Sequence, residues 1–412
     1  MLDLKQLRQD PDSAREALAR RGDAERLDPV LELDARRRAL LPELEELRAR
    51  KNQASKRIGE LQRAGQDASE AIAEVRGSGE REKELEAELA EVTSRLNEAL
   101  ALVPNLPSPD APPEDTVLRE VGEAGAGGPD HLELLDGLVD LEAGARAAGS
   151  RFAYLKGSLV FLELALVRWA LEELSGQGFT PVVPPVLVRE EAMFGTGFLP
   201  DTEQQIYRVP DDDLYLVGTS EVPLASLHAD EILDESALPL RYAGFSPCFR
   251  REAGAAGRDT RGLFRVHQFD KVEMFSFVAP EESAAEHERL LQIEEELLQT
   301  LDVPYRVVNI AVDDLGASAA KKYDLEAWLP GQGRYRELTS CSNTTDFQAR
   351  RLDIRMRPEG GRVEHLHTLN GTAVAVGRTI IALLENGQRE DGSVVLPDAL
   401  VPFGAPAVLD PA

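Results

Sequence analysis

The sequence predicts an α+β protein in which an N-terminal antiparallel helical coiled-coil arm precedes an antiparallel β-sheet domain flanked by helices. Two observations predict it. Apolar residues recur at alternating steps of three and four over residues 33–103, which is the spacing of a coiled-coil seam. From residue 151 onward, a long amphipathic helix is followed by short alternating strands at irregular separations, which favours an antiparallel sheet over repeating β-α-β units.

The arm is predicted to be two helices that fold back on each other near residues 65–69. Its apolar positions are Leu33, Leu40, Leu44, Leu47, Ala54, Ile58 and Leu61 in the first helix and Leu85, Leu89, Val92, Leu96, Ala99 and Val103 in the second. Helices of thirty-odd residues, at about 1.5 Å per residue, give an arm on the order of 45 Å long. Pro42 is an exception to good helix chemistry, and we expect it to kink the first helix or mark its effective start.

Proline and glycine separate the arm from the rest of the chain. The segment PNLPSPDAPPED at 104–115 cannot extend a helix, and EAGAGGPD at 123–130 is rich in glycine. The predicted organisation is an arm over residues 1–103, a linker over 104–130 and a main domain over 131–412. We expect a helix around residues 133–146 and a longer one over 156–175.

Composition excludes several classes of protein. Of 412 residues, 42% are hydrophobic, which is normal for a packed soluble protein. Charges begin at the third residue and no run of about 18 apolar residues occurs, so neither a secretory signal nor a membrane span is expected. The two cysteines, Cys248 and Cys341, exclude a disulfide framework or a cysteine zinc cluster. We therefore expect a cytoplasmic protein without zinc.

The net charge of −28 at first opposes a nucleic-acid partner. The charge is uneven, however: residues 34–64 hold nine basic and five acidic side chains, whereas residues 65–103 hold four and ten. A basic strip beside an acidic one can direct RNA to one side of the arm. The candidates for RNA contact are Arg36, Arg48, Arg50, Lys51, Lys56 and Arg57. Composition alone would favour a spacer or dimerisation coil with a solvated charged face.

A predicted strand–loop–strand segment over residues 249–275 indicates a nucleotide-binding site. Strand alternation puts two guanidiniums, an aromatic ring and two carboxylates on one face, from Arg250, Glu252, Arg265, Phe269 and Glu273. Guanidinium groups suit phosphate and carboxylate oxygens, and an aromatic ring can stack on a base. The glycine-rich loop between the strands adds Arg258 and Arg261, which could close positive charge over an anionic ligand.

Other routes to nucleotide or metal chemistry find little support. The sequence has no G-x-x-x-x-G-K-[ST] phosphate loop and no G-x-G-x-x-G between a predicted strand and helix. Phosphate binding must then come from side chains, which makes the arginines of 250–265 and Arg378 the candidates. His365 and His367 lie two apart on a predicted strand without a third ligand, so structural roles are favoured over a metal site.

Five segments in chain order resemble one enzyme class. They are GFTPVVPP at 178–185, TSE at 219–221, the segment over 249–275, ELTSCSN at 337–343 and GTAVAVGRTIIALLEN at 371–386. The first, third and fifth resemble motifs 1, 2 and 3 of the class II aminoacyl-tRNA synthetases, and the other two are similar to serine-specific members. The resemblance implies that residues 131–412 form the class II catalytic domain, an antiparallel sheet flanked by helices.

The resemblance implies a reaction in two steps. Serine would be activated with ATP to seryl-adenylate and pyrophosphate, and would then pass to the 3′ end of a serine tRNA with release of AMP. A selenocysteine tRNA stays open as a second acceptor. The resemblance also implies a homodimer built on motif 1, and an arm that grips the long variable arm of the tRNA by its shape and backbone.

Roles in the ATP site follow from the matched motifs. Arg250 would bridge the serine carboxylate and the α-phosphate, and Glu252 would hold the adenine amino group. Phe269 and Arg378 would stack on the two faces of the adenine. The whole ATP site is predicted to be Arg250, Arg251, Glu252, Val266, His267, Phe269, Glu337, Leu338, Thr339, Ser340 and Arg378. Among these, Arg250, Glu252 and Arg378 are the catalytic candidates.

The resemblance also implies a metal site and a serine pocket. Glu337 and Ser340 would hold Mg²⁺, a hard ion that prefers oxygen ligands. The serine pocket is predicted to be Thr219, Ser220, Glu221, Arg250, Glu273 and Thr372. Position 372 is often serine in the family, so the threonine adds a methyl group to the pocket.

Two other functions are weighed against this one. The first is a relative that loads a small amino acid onto a carrier protein; such proteins lack a tRNA-binding arm, so the heptads over 33–103 count against it. The second is a non-catalytic RNA-binding paralogue or coiled-coil scaffold. The intact motif residues count against that alternative, namely Arg250, Glu252, Glu273, Glu337 and Arg378.

Overall fold

The computed structural model describes residues 1–134, 137–200, 205–253 and 262–410. They form two units, one over Leu2–Pro104 and one that begins at Asn105. Within the described ranges, no helix is both long enough and apolar enough to cross a membrane.

The arm unit is built on two long antiparallel helices. Its helices are α1 (Leu4–Gln9), α2 (Pro11–Ala19), α3 (Leu27–Arg63) and α4 (Ser69–Leu102). Leu40 and Leu44 of α3 pack against Leu85 and Val92 of α4, which confirms the predicted coiled coil. The helix α3 begins well before Pro42 and continues past it, so the expectation that Pro42 marks the helix start was wrong.

The second unit has eighteen strands among its described residues. They are β1 (Thr116–Val121), β2 (Val139–Asp140), β3 (Tyr154–Leu155), β4 (Thr180–Val182), β5 (Leu187–Val188), β6 (Tyr207–Val209), β7 (Leu214–Leu216), β8 (Ile232–Asp234), β9 (Leu240–Phe249), β10 (Gln268–Val278), β11 (Tyr305–Asn309), β12 (Lys321–Leu329), β13 (Arg334–Asn343), β14 (Arg355–Arg357), β15 (Glu364–His365), β16 (His367–Ala375), β17 (Val394–Val395) and β18 (Val408–Leu409). Eight of them form the main sheet, in the order β1-β11-β12-β13-β16-β10-β9-β4. Neighbours in this sheet are antiparallel except β4 and β9, which confirms the predicted sheet class.

Helices flank the sheet as predicted. They are α5 (His131–Leu134), α6 (Leu141–Ala148), α7 (Ser158–Gly176), α8 (Glu190–Thr196), α9 (Glu221–Ala225), α10 (Ser283–Thr300), α11 (Phe347–Arg351) and α12 (Val376–Gly387). Short 3-10 turns occupy Ala24–Arg26, Ser226–His228, Glu235–Ala237, Pro280–Glu282, Val312–Asp314 and Asp398–Phe403. The main apolar core lies between the sheet and α7, α10 and α12, where Trp169 and Leu290 pack with Val272 and Met274 of β10. Strand alternation then puts Lys271 and Glu273 on the opposite face of the sheet.

The single helix expected around residues 133–146 was wrong, because two short helices, α5 and α6, occupy this region. The chain changes direction at Gly137, whose φ is 78°. Asp140 then starts α6 by accepting a hydrogen bond from the N–H of Ala143 at 2.8 Å, which satisfies one of the free donors of the first turn.

The segment predicted as a linker, residues 104–130, also contributes structure. Its strand β1 pairs with β11 at one edge of the main sheet. Asn105 fastens the start of the segment, since its Nδ2 donates to the carbonyl oxygens of Ser318 at 2.9 Å and Thr344 at 2.8 Å.

Candidate active site

A bulge in β13 brings two predicted metal ligands to one face of the sheet. The register between β12 and β13 shifts at Leu338, so that Glu337 and Thr339 face consecutive residues of β12. In a regular strand, residues three apart point to opposite faces. A bulge adds one residue to one strand only, so the extra residue shifts the alternation of β13 by one position. Glu337 and Ser340 therefore share a face.

A second bulge builds the predicted serine pocket. The register between β10 and β16 shifts at Ala373, so that Glu273 faces Thr372. The Thr372 hydroxyl donates to Oε2 of Glu273 at 3.3 Å. Both side chains are buried, with 8% of Thr372 and 2% of Glu273 exposed.

One cavity brings together most of the predicted ATP residues. It is lined by Arg250, Glu252, Leu263, Phe264, Arg265, Val266, Phe269, Lys271, Glu337, Leu338, Thr339, Ser340, Thr372, Ala375, Gly377 and Arg378. Two predicted ATP residues, Arg251 and His267, are outside this lining. Arg251 is exposed, and its backbone N–H donates to the carbonyl oxygen of Gln205 at 2.9 Å. The loop arginines Arg258 and Arg261 lie outside the described residues.

Arg250 directly follows the end of β9, and contacts with both its side chain and its backbone hold it in place. Its Nε donates to the carbonyl oxygen of Gly218 at 3.2 Å, and its guanidinium carbon lies 5.2 Å from the centroid of the Phe269 ring. His267 holds its backbone: Nδ1 donates to the Arg250 carbonyl at 2.9 Å, and the Arg250 N–H donates to the His267 carbonyl at 3.0 Å. His267 therefore acts on the site by positioning Arg250.

Glu252 and Arg265 meet at the edge of the cavity, where an Arg265 Nη1 lies 2.6 Å from Oε2 of Glu252. The expected strand alternation was wrong here, because β9 ends at Phe249 and β10 begins only at Gln268. Glu252 instead has a left-handed backbone, with φ of 50°, which costs on the order of 1 kcal/mol for a residue with a side chain. The local turn, and not a strand face, brings Glu252 and Arg265 together.

Arg378 reaches the cavity from the first turn of α12. Its Nη1 donates to the carbonyl oxygen of Glu337 at 3.0 Å and lies 3.4 Å from a carboxylate oxygen of the same residue. Burial acts to raise the pKa of Glu337, but the positive charges of Arg378, Lys322 and Arg250 outweigh it and hold the pKa below its usual value. Glu337 is therefore ionised at neutral pH.

An aromatic stack beside Arg378 was missed from the sequence. The guanidinium carbons of Arg336 and Arg378 lie 3.8 Å and 4.7 Å from the centroid of the Phe264 ring. Sequence spacing gives no signal for it, because the three residues come from a loop, a strand and a helix. Stacked on Phe264, Arg378 has a flat, pre-oriented guanidinium at the cavity rim.

Two amides that sequence reasoning missed hold Glu221 in place. Oε1 of Glu221 accepts hydrogen bonds from Nε2 of Gln348 at 2.7 Å and from Nδ2 of Asn370 at 3.0 Å. Burial, followed by the negative charge of Glu273, raises the pKa of Glu221 to about 7. The two carboxyl groups are thus close enough to interact through their charges.

The rest of the TSE segment packs tightly beside β9. The backbone N–H of Glu221 donates to Oγ1 of Thr219 at 3.1 Å, and the Ser220 hydroxyl donates to the carbonyl oxygen of Gly244 at 3.2 Å. A Cβ at Gly244 would lie 2.7 Å from a methyl carbon of Leu224 and 3.2 Å from the Cβ of Ser220. Glycine at this position therefore lets α9 approach the strand.

An acidic residue beside the predicted metal ligands was also missed. Asp324 lies directly opposite Ser340 on β12. Nζ of Lys322 lies 3.5 Å from Oδ2 of Asp324. Burial raises the pKa of Asp324 to about 7, against the opposing effect of Lys322. No group of three or more His, Cys, Asp or Glu side chains has a metal-binding arrangement in the described ranges.

The basic strip of the arm divides into two groups. Three of its residues tie the helices of the hairpin together: Arg36 donates through Nε to Glu88 at 2.9 Å, Arg48 to Glu82 at 3.1 Å and to Glu86 at 2.6 Å, and Lys51 to Glu82 at 2.5 Å. Arg50 pairs within α3, with Glu46 at 2.5 Å. Lys56 and Arg57 are exposed near the tip, and no ion pair of theirs occurs within the described part of the chain. The strip is therefore less available to RNA than its charge suggests.

Comparison with known proteins agrees with this arrangement. Residues 1–107 match the seryl-tRNA synthetase N-terminal domain, and residues 206–387 match the tRNA synthetase class II core domain (G, H, P, S and T). Serine–tRNA ligases of Rubrobacter xylanophilus and Streptomyces coelicolor are each 51% identical to this chain, over all of it and over 100% and 99% of their own lengths.

Two solved structures extend the likeness to the fold. The seryl-tRNA synthetase from Pyrococcus horikoshii complexed with ATP has a TM-score of 0.95 and 43% identity over the whole of both chains. The cytoplasmic serine–tRNA ligase from Naegleria fowleri in complex with AMP has a TM-score of 0.88 and 31% identity, over 97% of this chain and 96% of its own. The chain therefore belongs to the seryl-tRNA synthetase family of class II enzymes, which are ATP-dependent serine–tRNA ligases.

Proposed function

We propose that this chain activates serine at the cavity between β10, β13 and α12, and then transfers it to a serine tRNA. The observation that carries the proposal is the position of Arg250. Its guanidinium faces Phe269 of the predicted ATP site, and its Nε contacts Gly218, the residue before the predicted serine-binding segment. This position supports Arg250 as the bridge between the serine carboxylate and the α-phosphate of ATP.

The reaction needs alignment and charge neutralisation more than it needs a base. The serine carboxylate is already ionised near pH 7, so it can attack the α-phosphate without giving up a proton. Arg250 offers planar donors to both reacting groups, and Arg378 adds a second cation at the rim. In this proposal Glu252 and Phe269 place the adenine, and ATP releases Arg265 from Glu252 so that it can contact phosphate oxygens.

Serine selection is proposed to rest on a buried polar pocket. Glu273 and Thr372, already hydrogen-bonded to each other at 3.3 Å, would receive the side-chain hydroxyl of serine. Alanine would leave these groups unpaired, and a site of this kind rejects an analogue that lacks the hydroxyl. The amides of Gln348 and Asn370 hold the carboxyl group of Glu221 in a fixed orientation, and Thr219 accepts a hydrogen bond from the Glu221 backbone N–H.

Mg²⁺ fits the residues beside the phosphates. Glu337 and Ser340 present oxygen atoms on one face, Asp324 lies next to them, and this set has no nitrogen or sulfur donor. Hard Mg²⁺ prefers such oxygens together with phosphate and water. When bound there, the ion would supply charge neutralisation for the phosphates of ATP.

Serine-dependent ATP–pyrophosphate exchange tests this function. We expect exchange with serine and Mg²⁺, and little with alanine, glycine, threonine or cysteine. Addition of purified serine tRNA should then give seryl-tRNA and AMP. Exchange with glycine or alanine instead of serine would contradict the proposed pocket, and exchange that persists in excess EDTA would contradict the role of Mg²⁺.

We propose that the arm contacts tRNA through the exposed cations near its tip. Lys56 and Arg57 are available for phosphates, whereas Arg48 and Lys51 are engaged with Glu82. Replacement of Arg48 or Lys51 would therefore mix a loss of arm stability with any loss of RNA contact. Phosphate contacts fix orientation on the RNA and carry little sequence information, in keeping with recognition of a long variable arm by shape.

The variant Lys56→Ala, Arg57→Ala should raise the KM for tRNA about 10-fold and lower the slope of its salt dependence, because two phosphate contacts are lost. Aminoacylation kinetics at several salt concentrations would measure both quantities. Lys83→Ala is the matched control, since Lys83 is an exposed cation on the acidic helix α4 and should leave the tRNA KM unchanged. An equal fall in pyrophosphate exchange for the double variant would contradict a role confined to the arm.

We also propose that the chain acts as a homodimer in the cytoplasm. An apolar surface lies on and beside the predicted motif 1, and we call it the motif 1 surface: it consists of Val160, Phe161 and Leu164 of α7, Val183 and Leu187. Exposed fractions of 62% for Phe161 and 80% for Val183 are high for apolar side chains, and such patches mark interfaces. Cell fractionation tests the location, since recovery in a membrane fraction would contradict it.

A further inference from the structure

Lys271 is a buried cation that the reaction scheme above does not use. It lies on β10 between Phe269 and Glu273, and only 6% of it is exposed. Ser246 on β9 and Ala375 on β16 are its direct neighbours in the sheet. Removal of an ammonium group from water is costly unless a partner compensates the charge. Its burial at the floor of the cavity therefore calls for a specific partner.

That partner is Glu273. Nζ of Lys271 forms an ion pair with Oε2 of Glu273, the oxygen that also accepts the hydroxyl hydrogen bond of Thr372. These two polar contacts of the carboxylate thus fall on the same oxygen. Two donors on one oxygen fix the rotation of the carboxylate group, which leaves Oε1 to accept a hydrogen bond from a ligand.

The surroundings of Glu273 make a single cation important. Glu221 and Glu294 are buried nearby: burial and the charge of Glu273 raise the pKa of Glu221, and burial raises the pKa of Glu294 well above its usual value. The positive charge of Lys271 opposes the rise in both. Without Lys271, Glu273 would keep two acidic neighbours and lose its ion-pair partner, and its carboxylate could rotate away from Thr372.

We propose that Lys271 is a positioning residue for serine selection. It holds Oε2 of Glu273 together with Thr372, so that Oε1 meets the hydroxyl of a small hydroxy amino acid in a fixed geometry. This inference rests on the proposed assignment of Glu273 and Thr372 to the serine pocket. Lys271 acts through Glu273 and does not itself contact the substrate hydroxyl.

The variant Lys271→Met keeps most of the aliphatic stem and removes the charge. Because serine binding depends on the orientation of Glu273 and ATP binding does not, we expect the KM for serine to rise on the order of 10- to 100-fold and the KM for ATP to stay within about threefold. The ratio of exchange with serine to exchange with alanine should fall. Lys271→Gln, which can still donate to Oε2, should recover part of the loss.

Lys321→Met is the matched control. Lys321 lies on β12 of the same sheet, pairs with Asp110 at 2.6 Å, and is outside the lining of the cavity. The control makes the same chemical change and should leave both KM values unchanged. Thermal unfolding of all variants separates a loss of fold from a loss of selection, and if Lys271→Met does not fold, Lys271→Gln carries the comparison.

A double-mutant cycle with Glu273→Gln gives the decisive result. If Lys271 acts through Glu273, the KM for serine of the double variant should be no higher than that of the more impaired single variant. Fully additive losses, an equal rise in the KM for ATP, or a fall in the KM for serine in Lys271→Met would each overturn the inference. If Glu273→Gln alone leaves the KM for serine unchanged, the assignment of Glu273 to the pocket fails instead, which is a different result.

Discussion

Replacement of Arg250 by methionine is expected to lower serine-dependent ATP–pyrophosphate exchange about 1000-fold, the size of loss found when a donor to a developing charge is removed. The guanidinium is held by Gly218 and lies over Phe269, so it is in place before the substrates arrive. Methionine fills similar space without the planar donors. The serine carboxylate and the α-phosphate would then repel each other with no cation between them.

Arg357→Met is the control for Arg250→Met. Arg357 is exposed on β14 and lies outside the lining of the cavity, so the same chemical change should leave exchange unchanged. Steady-state exchange rates, measured at saturating serine and ATP, give the comparison. If Arg250→Met kept more than about a tenth of the activity while remaining folded, Arg250 would not be the bridge between the two substrates.

Leu164→Glu is expected to convert the proposed homodimer to a monomer, because it puts a carboxylate on the motif 1 surface. Burial of an unpaired charge in an interface costs far more free energy than an apolar contact contributes. Sedimentation velocity at micromolar protein would show the change in mass. Since α7 packs directly against the core that supports β10, we expect exchange activity to fall with dissociation.

Val363→Glu is the matched control for Leu164→Glu. Val363 is 41% exposed and is not one of the residues of the motif 1 surface, so the same added charge should leave the proposed dimer intact. If the wild-type chain sediments as a monomer, the dimer proposal is contradicted without the need for a variant. A Leu164→Glu variant that stays dimeric would place the interface elsewhere.

The elements with strong periodicity were predictable from the sequence. Leu40, Leu44, Leu85 and Val92 form the seam of the arm because a heptad pattern leaves a hairpin few other ways to bury them. The ion pairs of the basic strip could not be predicted in the same way. Its partners, such as Glu82, lie in the other helix, and charge counts do not reveal which cations are already paired.

The residue types of the candidate site were predictable, but their geometry was not. Strand alternation failed for Glu252, which lies in a turn with positive φ, and it would have separated Glu337 from Ser340 had β13 been regular. Gln348 and Asn370 support Glu221 from distant parts of the chain. Such contacts depend on the tertiary fold, and a single sequence has no pattern for them.

The extra residue in β13 has a consequence for how this strand can change in evolution. Leu338 can be exchanged for another apolar residue of similar size with little effect on the direction of its neighbours, since its side chain packs in the main core. Its deletion would restore plain alternation and turn either Glu337 or Ser340 toward the helices. The strand should therefore tolerate substitutions at Leu338 but neither insertions nor deletions between Glu337 and Ser340. The length of this short stretch is under stronger selection than the identity of the residue within it.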